Sequence, residues 1–210
     1  METMRQVPNQ FEEKDQFSDV ALVVEGRKLY VSKTYLMIHS PVFARMFTGD
    51  FREKDLVDIE LPGKKYDEVL QLLKQVYPGD SMDFINNEIL AALLQLADEY
   101  DMQQVFYNCK EYMMKQIDHG SELLGLPFMS TDDILFYLGL VEQYKRLHPL
   151  RQKLVTKASG ISAHDMEKSK YFTFVPATAT RDALLQRLKM KETEPLRPIS
   201  RKISIGFEKK

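Results

Sequence analysis

The sequence predicts an α+β fold: a small β-sheet flanked by a cluster of short helices, followed by a helical extension. Three observations carry that expectation. Residues 17–47, FSDVALVVEGRKLYVSKTYLMIHSPVFARMF, run an alternating strand pair straight into two short apolar helices. A third alternating run follows at Val57, Ile59 and Leu61, interleaved with Asp58 and Glu60 and stopped by Pro62-Gly63. From Tyr66 onward the apolar period changes to that of a helix.

The strand pair comes from Val20, Leu22 and Val24 alternating with Ala21 and Val23, a turn at Glu25-Gly26-Arg27, and an extended pattern resumed from Leu29 to Val31. Tyr35 to His39 and Pro41 to Phe47 then read as two short helices. Ser40 can cap the second, and Pro41 suits a first helical turn, where its missing N–H has no partner to lose. A longer helix is expected from Tyr66 to Tyr77, with Tyr66, Val69, Leu70, Leu73 and Tyr77 on one face and Pro78-Gly79 ending it. Ile89, Leu90, Leu93, Leu94 and Ala97 form the stripe of the next, and Met102, Val105, Phe106, Cys109 and Met113 that of a third.

Asp118 to Met129 reads as a linker, broken by Gly120, Gly125 and Pro127. At Ser130-Thr131-Asp132-Asp133 a capping-box sequence, in its weaker aspartate form, precedes Ile134, Leu135, Leu138 and Val141. Further helices are expected from Pro149 to Lys157 and, with Thr180 as cap, from Arg181 to Met190. In the first sixteen residues Met4, Val7 and Phe11 fall at helical spacing, which gives either an apolar stripe or a frayed terminus. Residues 196–210 mix five cations with one acid, Glu208, and are expected to be a disordered basic tail. Within it Ser200 and Ser204 each lie three residues after an arginine, a spacing that basic-directed kinases accept and that also recurs by chance. The chain thus divides into an N-terminal arm (1–16), a principal domain (17–118), a helical extension (119–195) and the tail (196–210).

Net charge is −2 and the sequence pI about 6.1, so no overall field draws the chain onto nucleic acid or anionic lipid. Neither is an expected partner. The single cysteine, Cys109, can form no internal disulfide, and no CxxC pair offers zinc ligands. The N-terminus carries acids without an apolar signal core, and nowhere do about 18 apolar residues run together. A cytoplasmic or nuclear protein is expected. None of His39, His119, His148 and His164 lies four residues from another or beside the cysteine, so no metal or other cofactor is expected.

No GxSxG elbow, GxGxxG turn or GxxxxGK[ST] loop occurs, and no enzyme is expected. Asp132-Asp133 sits at a helix start, where the helix dipole accounts for paired carboxylates. Cys109 falls on an apolar helix face with Phe106 and Met113, which reads as a core thiol rather than a nucleophile. A catalytic constellation assembled from distant positions stays open at this level.

Three parts of residues 17–47 resemble a BTB (POZ) domain: FSDVALVV, with a phenylalanine and an acid before the first strand; SKTYL, aligned with the family's lysine-x-x-leucine; and HSPVFARMF, its serine, proline and paired phenylalanines. VDIELPG, YDEVLQLLKQVYPG, LLQLADEYDMQQV and CKEYM are similar to the family's third strand and later helices, in order, so the resemblance covers residues 16–118. YVSK and HSPVFARMF look most like the BTB half of MATH-BTB adaptors. No MATH domain is expected ahead of it and no kelch repeats or zinc fingers after it. The helices from Ser130 to Met190 are similar in placement to the BACK or 3-box region that follows BTB in cullin adaptors.

The resemblance implies a homodimer, with Tyr35 packing across the two-fold and Met4, Val7 and Phe11 where MATH-BTB members place a dimer helix; ordinary core packing is the alternative for Tyr35. It also implies a cullin-3 type ubiquitin ligase as partner. Phe51, Tyr77 and the loop from Pro78 to Asn87 fall at the family's cullin face. Here the chain departs from the family's apolar-x-acid signature, because Ile89 is followed by Leu90 and Ala91; Ile85 and Glu88 are the candidates to replace it with shifted spacing. Asp19 and Lys33 match polar positions near the dimer groove, and a surface placement of both is the alternative. Two functions follow from the resemblance: an adaptor bringing an unknown protein substrate to the ligase, or a scaffold or transcriptional cofactor that assembles proteins without cullin.

Overall fold

Strand β1 (Val20–Val24) is the centre of a three-stranded sheet of order β2-β1-β3, with β2 (Arg27–Val31) antiparallel and β3 (Asp58–Glu60) parallel to it. In this computed structural model, residues 9–49, 55–78, 85–119 and 129–193 are described. All five β1 residues are buried, as a central strand covered on both faces requires, which explains why its sequence is the unbroken apolar run VALVV. Leu22 pairs with Leu29 on one side and Ile59 on the other. The two-residue turn between β1 and β2 holds Glu25 at φ 51° and Gly26 at φ 75°, the left-handed pair that matches strand twist in a tight hairpin.

Helices α1 (Lys33–His39) and α2 (Pro41–Thr48) meet at Ser40, which is fully buried. Its hydroxyl oxygen accepts the Phe43 N–H (3.1 Å) and donates to the Tyr100 carbonyl (2.5 Å), so one side chain caps α2 and ties it to a segment 60 residues away. Phe43 stacks on Tyr100 with centroids 4.8 Å apart. The serine-proline of the HSPVF motif is therefore a joint between local capping and long-range packing.

Helices α3 (Tyr66–Val76), α4 (Asn87–Glu99) and α5 (Gln103–His119) follow. Leu72 and Val76 are buried on α3, where Leu70 is only half-buried, so its core face is rotated from the expected one. Asn86 caps α4 by accepting the N–H groups of Glu88 (2.9 Å) and Ile89 (3.1 Å). On α5 the buried polar Asn108 donates to both the backbone and the side-chain oxygen of Gln75, which satisfies groups that would otherwise be costly to bury.

Contacts divide the chain into two units, residues 1–128 and 129–210. In the second, α6 (Thr131–Gln143) is buried continuously from Ile134 to Val141. Ser130 caps it: its hydroxyl oxygen accepts the Asp133 N–H (3.0 Å) and its hydroxyl donates to the Asp133 carboxylate (2.7 Å), so the return bond of a full capping box, to the Ser130 backbone N–H, is replaced by one to its side chain. A 3₁₀ helix (Lys145–Leu150) leads into α7 (Arg151–Ser159), then α8 (Ala163–Lys168), a 3₁₀ turn (Phe172–Phe174) and α9 (Ala177–Thr193). Two expectations change here. Pro149 lies inside the 3₁₀ helix, so the α-helix expected from Pro149 begins at Arg151. Thr180 is not a cap: α9 starts three residues earlier, after Pro176, and the Thr180 hydroxyl bonds back to the Pro176 carbonyl (3.4 Å).

Arg151 links three helices of this unit through ion pairs. Its Nε reaches Glu142 at the end of α6 (2.6 Å) and its Nη2 reaches Asp182 on α9 (2.8 Å). A planar guanidinium can serve two carboxylates in fixed directions, which a lysine cannot. No described helix is long and apolar enough to cross a membrane.

Candidate functional site

Among the described residues there is no cluster of three or more histidine, cysteine or acidic side chains that could hold a metal ion. Cys109 is fully buried, and burial pushes its thiol up to about 12. A thiol held neutral in an apolar interior is not a nucleophile.

What the first unit does present is apolar surface around α1. Leu36, on α1, is fully buried, whereas Ile38 is 71% exposed. Two residues apart on a helix is a turn of about 200°, so both cannot face the core. Met37 on α1 and Val42 on α2 are half-buried nearby in sequence. Phe17, Leu56, Val57 and Tyr107 are also exposed. Sequence reasoning missed Ile38 because it treated α1 as uniformly apolar; the angular conflict with Leu36 was the available signal.

Tyr35 and Tyr77, assigned to different interfaces by the resemblance, lie against each other. Their rings are 4.5 Å apart. The Tyr35 hydroxyl donates to the Val76 carbonyl (3.1 Å), and its ring also meets His39 (4.9 Å). Tyr77, just beyond α3, accepts the Ser32 N–H through its hydroxyl oxygen (2.9 Å). Burial pushes that hydroxyl up to about 12, so it remains a neutral phenol throughout the physiological range.

Phe11 completes the cluster, edge-on to Tyr77 at 5.0 Å and 85°. It is 2% exposed and lies in a turn, and its carbonyl accepts the Tyr30 N–H (2.8 Å). Neighbouring contacts fasten the same segment: Asn9 donates to the Tyr66 hydroxyl (3.1 Å), Arg27 lies over the Tyr66 ring (3.4 Å), and Arg27 pairs with Glu12 (3.6 Å). The expected helical stripe is thus corrected at Phe11, which is a plug in the chain's own core. Met4, Val7 and Phe51 lie outside the described residues, as do Ser200, Ser204, most of the linker and the tail.

Of the remaining candidates, Ile85 is buried and offers no surface to a partner, while Glu88 is exposed in the first turn of α4, where the helix dipole favours a carboxylate. Asp19 accepts the Lys33 backbone N–H (2.7 Å) at the start of α1, a capping role that the sequence did not suggest. The candidate site is therefore the exposed Ile38 of α1, on the helix that also carries Tyr35 of the aromatic cluster.

The chain is 34% identical over 100 residues to BTB and MATH domain-containing protein 38 of Caenorhabditis elegans, covering 48% of this chain and 25% of that one. It is 40% identical over 99 residues to the ARM repeat protein interacting with ABF2 of Arabidopsis thaliana (47% and 14%) and 30% identical over 125 residues to human Kelch-like protein 5 (60% and 16%). The chain thus spans a quarter or less of the length of these relatives. The BTB/POZ domain family matches residues 8–117, which takes in the fastened segment around Phe11 together with the sheet and α1 to α5. On this match and this fold, the chain belongs to the BTB/POZ family of protein-interaction modules.

Proposed function

We propose that the protein homodimerises through the face of α1 that carries Ile38 and serves as an adaptor that brings a protein substrate to a cullin-3 type ubiquitin ligase. The observation that supports self-association is Ile38, a large aliphatic side chain left 71% exposed on a helix whose opposite side is core. An exposed apolar side chain suits an isologous two-fold contact, in which each copy presents the same surface to the other. Tyr35, on the same helix, is held by Val76 and Tyr77 within its own chain.

The cullin step is supported by the resemblance to MATH-BTB adaptors and by family membership. Its surface would include the half-buried Tyr77 and the exposed Glu88. No proton transfer or covalent step belongs to this role; the adaptor raises the effective concentration of substrate at the ligase. A second reading, a scaffold or transcriptional cofactor without cullin binding, is favoured by Leu90 and Ala91 standing where the family's signature carries an acid.

Two measurements separate these readings. Light scattering should give twice the monomer mass for the native chain and the monomer mass for Ile38→Glu; a native monomer would refute the dimer. Mixed with a cullin-3 N-terminal fragment at tens of micromolar on a sizing column, the protein should co-elute. Separate elution would leave the scaffold reading in place and remove the adaptor.

A further inference from the structure

Helix α9 packs in an inverted way. Its fully buried residues are the small Ala179 and Ala183, while the large Leu185 and Leu188 are 47% and 56% exposed. Close approach to α7 accounts for the alanines: Thr156 and Gln152 of α7 both reach Gln186, and Arg151 reaches Asp182. Nothing within the described residues covers the leucines. Together with Phe172, Val175 and Leu184 they line an open groove of about 470 Å³, whose polar margin carries Thr173, Thr180 and the exposed Arg181. An apolar concavity with a cationic edge is a recognition surface rather than a core defect.

Charge identifies the occupant. The overall net charge of −2 conceals a division: residues 1–128 carry 13 basic and 22 acidic side chains, net −9, whereas residues 129–193 carry 11 and 7, net +4, before residues 194–210 are counted. On α9 itself Arg181, Arg187, Lys189 and Lys191 stand against Asp182 and Glu192, and Asp182 is engaged by Arg151 (2.8 Å) more closely than by its exposed neighbour Arg181 (3.5 Å). The chain's own residues 194–210, with five basic and two acidic side chains, would bring positive charge to a positive rim. A second copy seated groove to groove would do the same. Partners of opposite sign are favoured by both steering and rim contacts.

We propose that the α9 groove binds an acidic amphipathic helical segment of a partner protein. The groove follows α9 from Ala177 to Leu188, about 16 Å at the rise of a helix, which matches roughly three turns of a ligand helix. Aliphatic side chains at positions i, i+3 or i+4, and i+7 of the ligand enter between Leu184, Leu185, Leu188 and Val175. Glutamates or aspartates on its flanks face Arg181. This supplies the substrate-holding surface that the adaptor reading needs, yet it requires neither dimer nor cullin.

The test is selection of a displayed library of random sixteen-residue peptides on the full-length protein, with Leu188→Glu as the counter-selection target. Selected peptides should carry net negative charge and aliphatic residues at helical spacing. A labelled winner should lose at least tenfold in affinity on Leu188→Glu and several-fold on Arg181→Glu, with melting temperature and mass of both variants unchanged. Absence of enrichment, enrichment of neutral or basic peptides, or equal binding to Leu188→Glu overturns the proposal. So does a tenfold gain in affinity on deleting residues 194–210, which would make the tail the occupant, or a halved mass in Leu188→Glu, which would make it a second copy. Failure of cullin co-elution leaves this result untouched, so the two readings fail separately.

Discussion

Replacing Phe11 with alanine tests whether the N-terminal segment is core or interface. The ring is 2% exposed, meets Tyr77 edge-on at 5.0 Å, and sits on a segment whose backbone is bonded to Tyr30. Removing a phenyl group from such a site forfeits its transfer energy and leaves a cavity, a loss of about 3–5 kcal/mol in measured cores. Edge-to-face pairing contributes roughly 0.5–1.5 kcal/mol of that kind of contact. At about 3–5 °C per kcal/mol for a domain of this size, the melting temperature should fall by roughly 10–20 °C. The assay is thermal unfolding followed by circular dichroism at two protein concentrations a hundredfold apart, with mass by light scattering at the lower temperature. A core residue lowers the midpoint by the same amount at both concentrations and leaves the mass unchanged. A shift below about 3 °C, corresponding to under 1 kcal/mol, or a variant that becomes monomeric while keeping its fold, would refute the placement of Phe11 inside its own chain.

Three further outcomes follow from particular contacts. A Cβ added at Gly139 on α6 would collide with the ring of Phe174, so Gly139→Ala should destabilise the second unit by about 1–3 kcal/mol, and the pair Gly139→Ala with Phe174→Ala should recover most of that in a denaturation double-mutant cycle; strict additivity would refute it. Cys109 should stay unreactive toward a thiol reagent at pH 8 in the native protein and react at once in urea, because burial holds it protonated; rapid native labelling would contradict its position. The hydrogen bond from Arg151 lowers the carboxyl of Asp182, so that contribution to stability is present above the ordinary aspartate value of 3.8 and is lost as pH falls through the lower folded value. The melting difference between the native protein and Arg151→Ala should therefore narrow below pH 4, and a constant difference from pH 7 to 3 would argue against the pairing.

The strands and most helices were legible because each leaves a local mark. The apolar run of β1 closed by the Glu25-Gly26 turn, the Ser40-Pro41 start of α2 and the Ser130 cap of α6 act within a few residues, and a chain read in order displays them. Helix α8 carries a similar capping pair, Ser162 with Asp165, but at six residues it is too short to show an apolar period, and it was missed. The start of α9 was misplaced because Thr180 reads as a cap unless Pro176 is seen to initiate the helix.

The sequence by itself determined the family, the alternation of sheet and helices, and the absence of recognisable catalytic motifs, since these depend on residue type and spacing. Only the tertiary structure decided which apolar residues are spent in the core and which are left outside. Phe11 and Ile85 are buried, Ile38, Leu185 and Leu188 are exposed, and Tyr35 and Tyr77 meet. Hydrophobicity states that a side chain gains by leaving water, but not against which surface. That choice is made by neighbours distant in sequence, such as the close approach of α7 that places alanines inward on α9 and turns its leucines out.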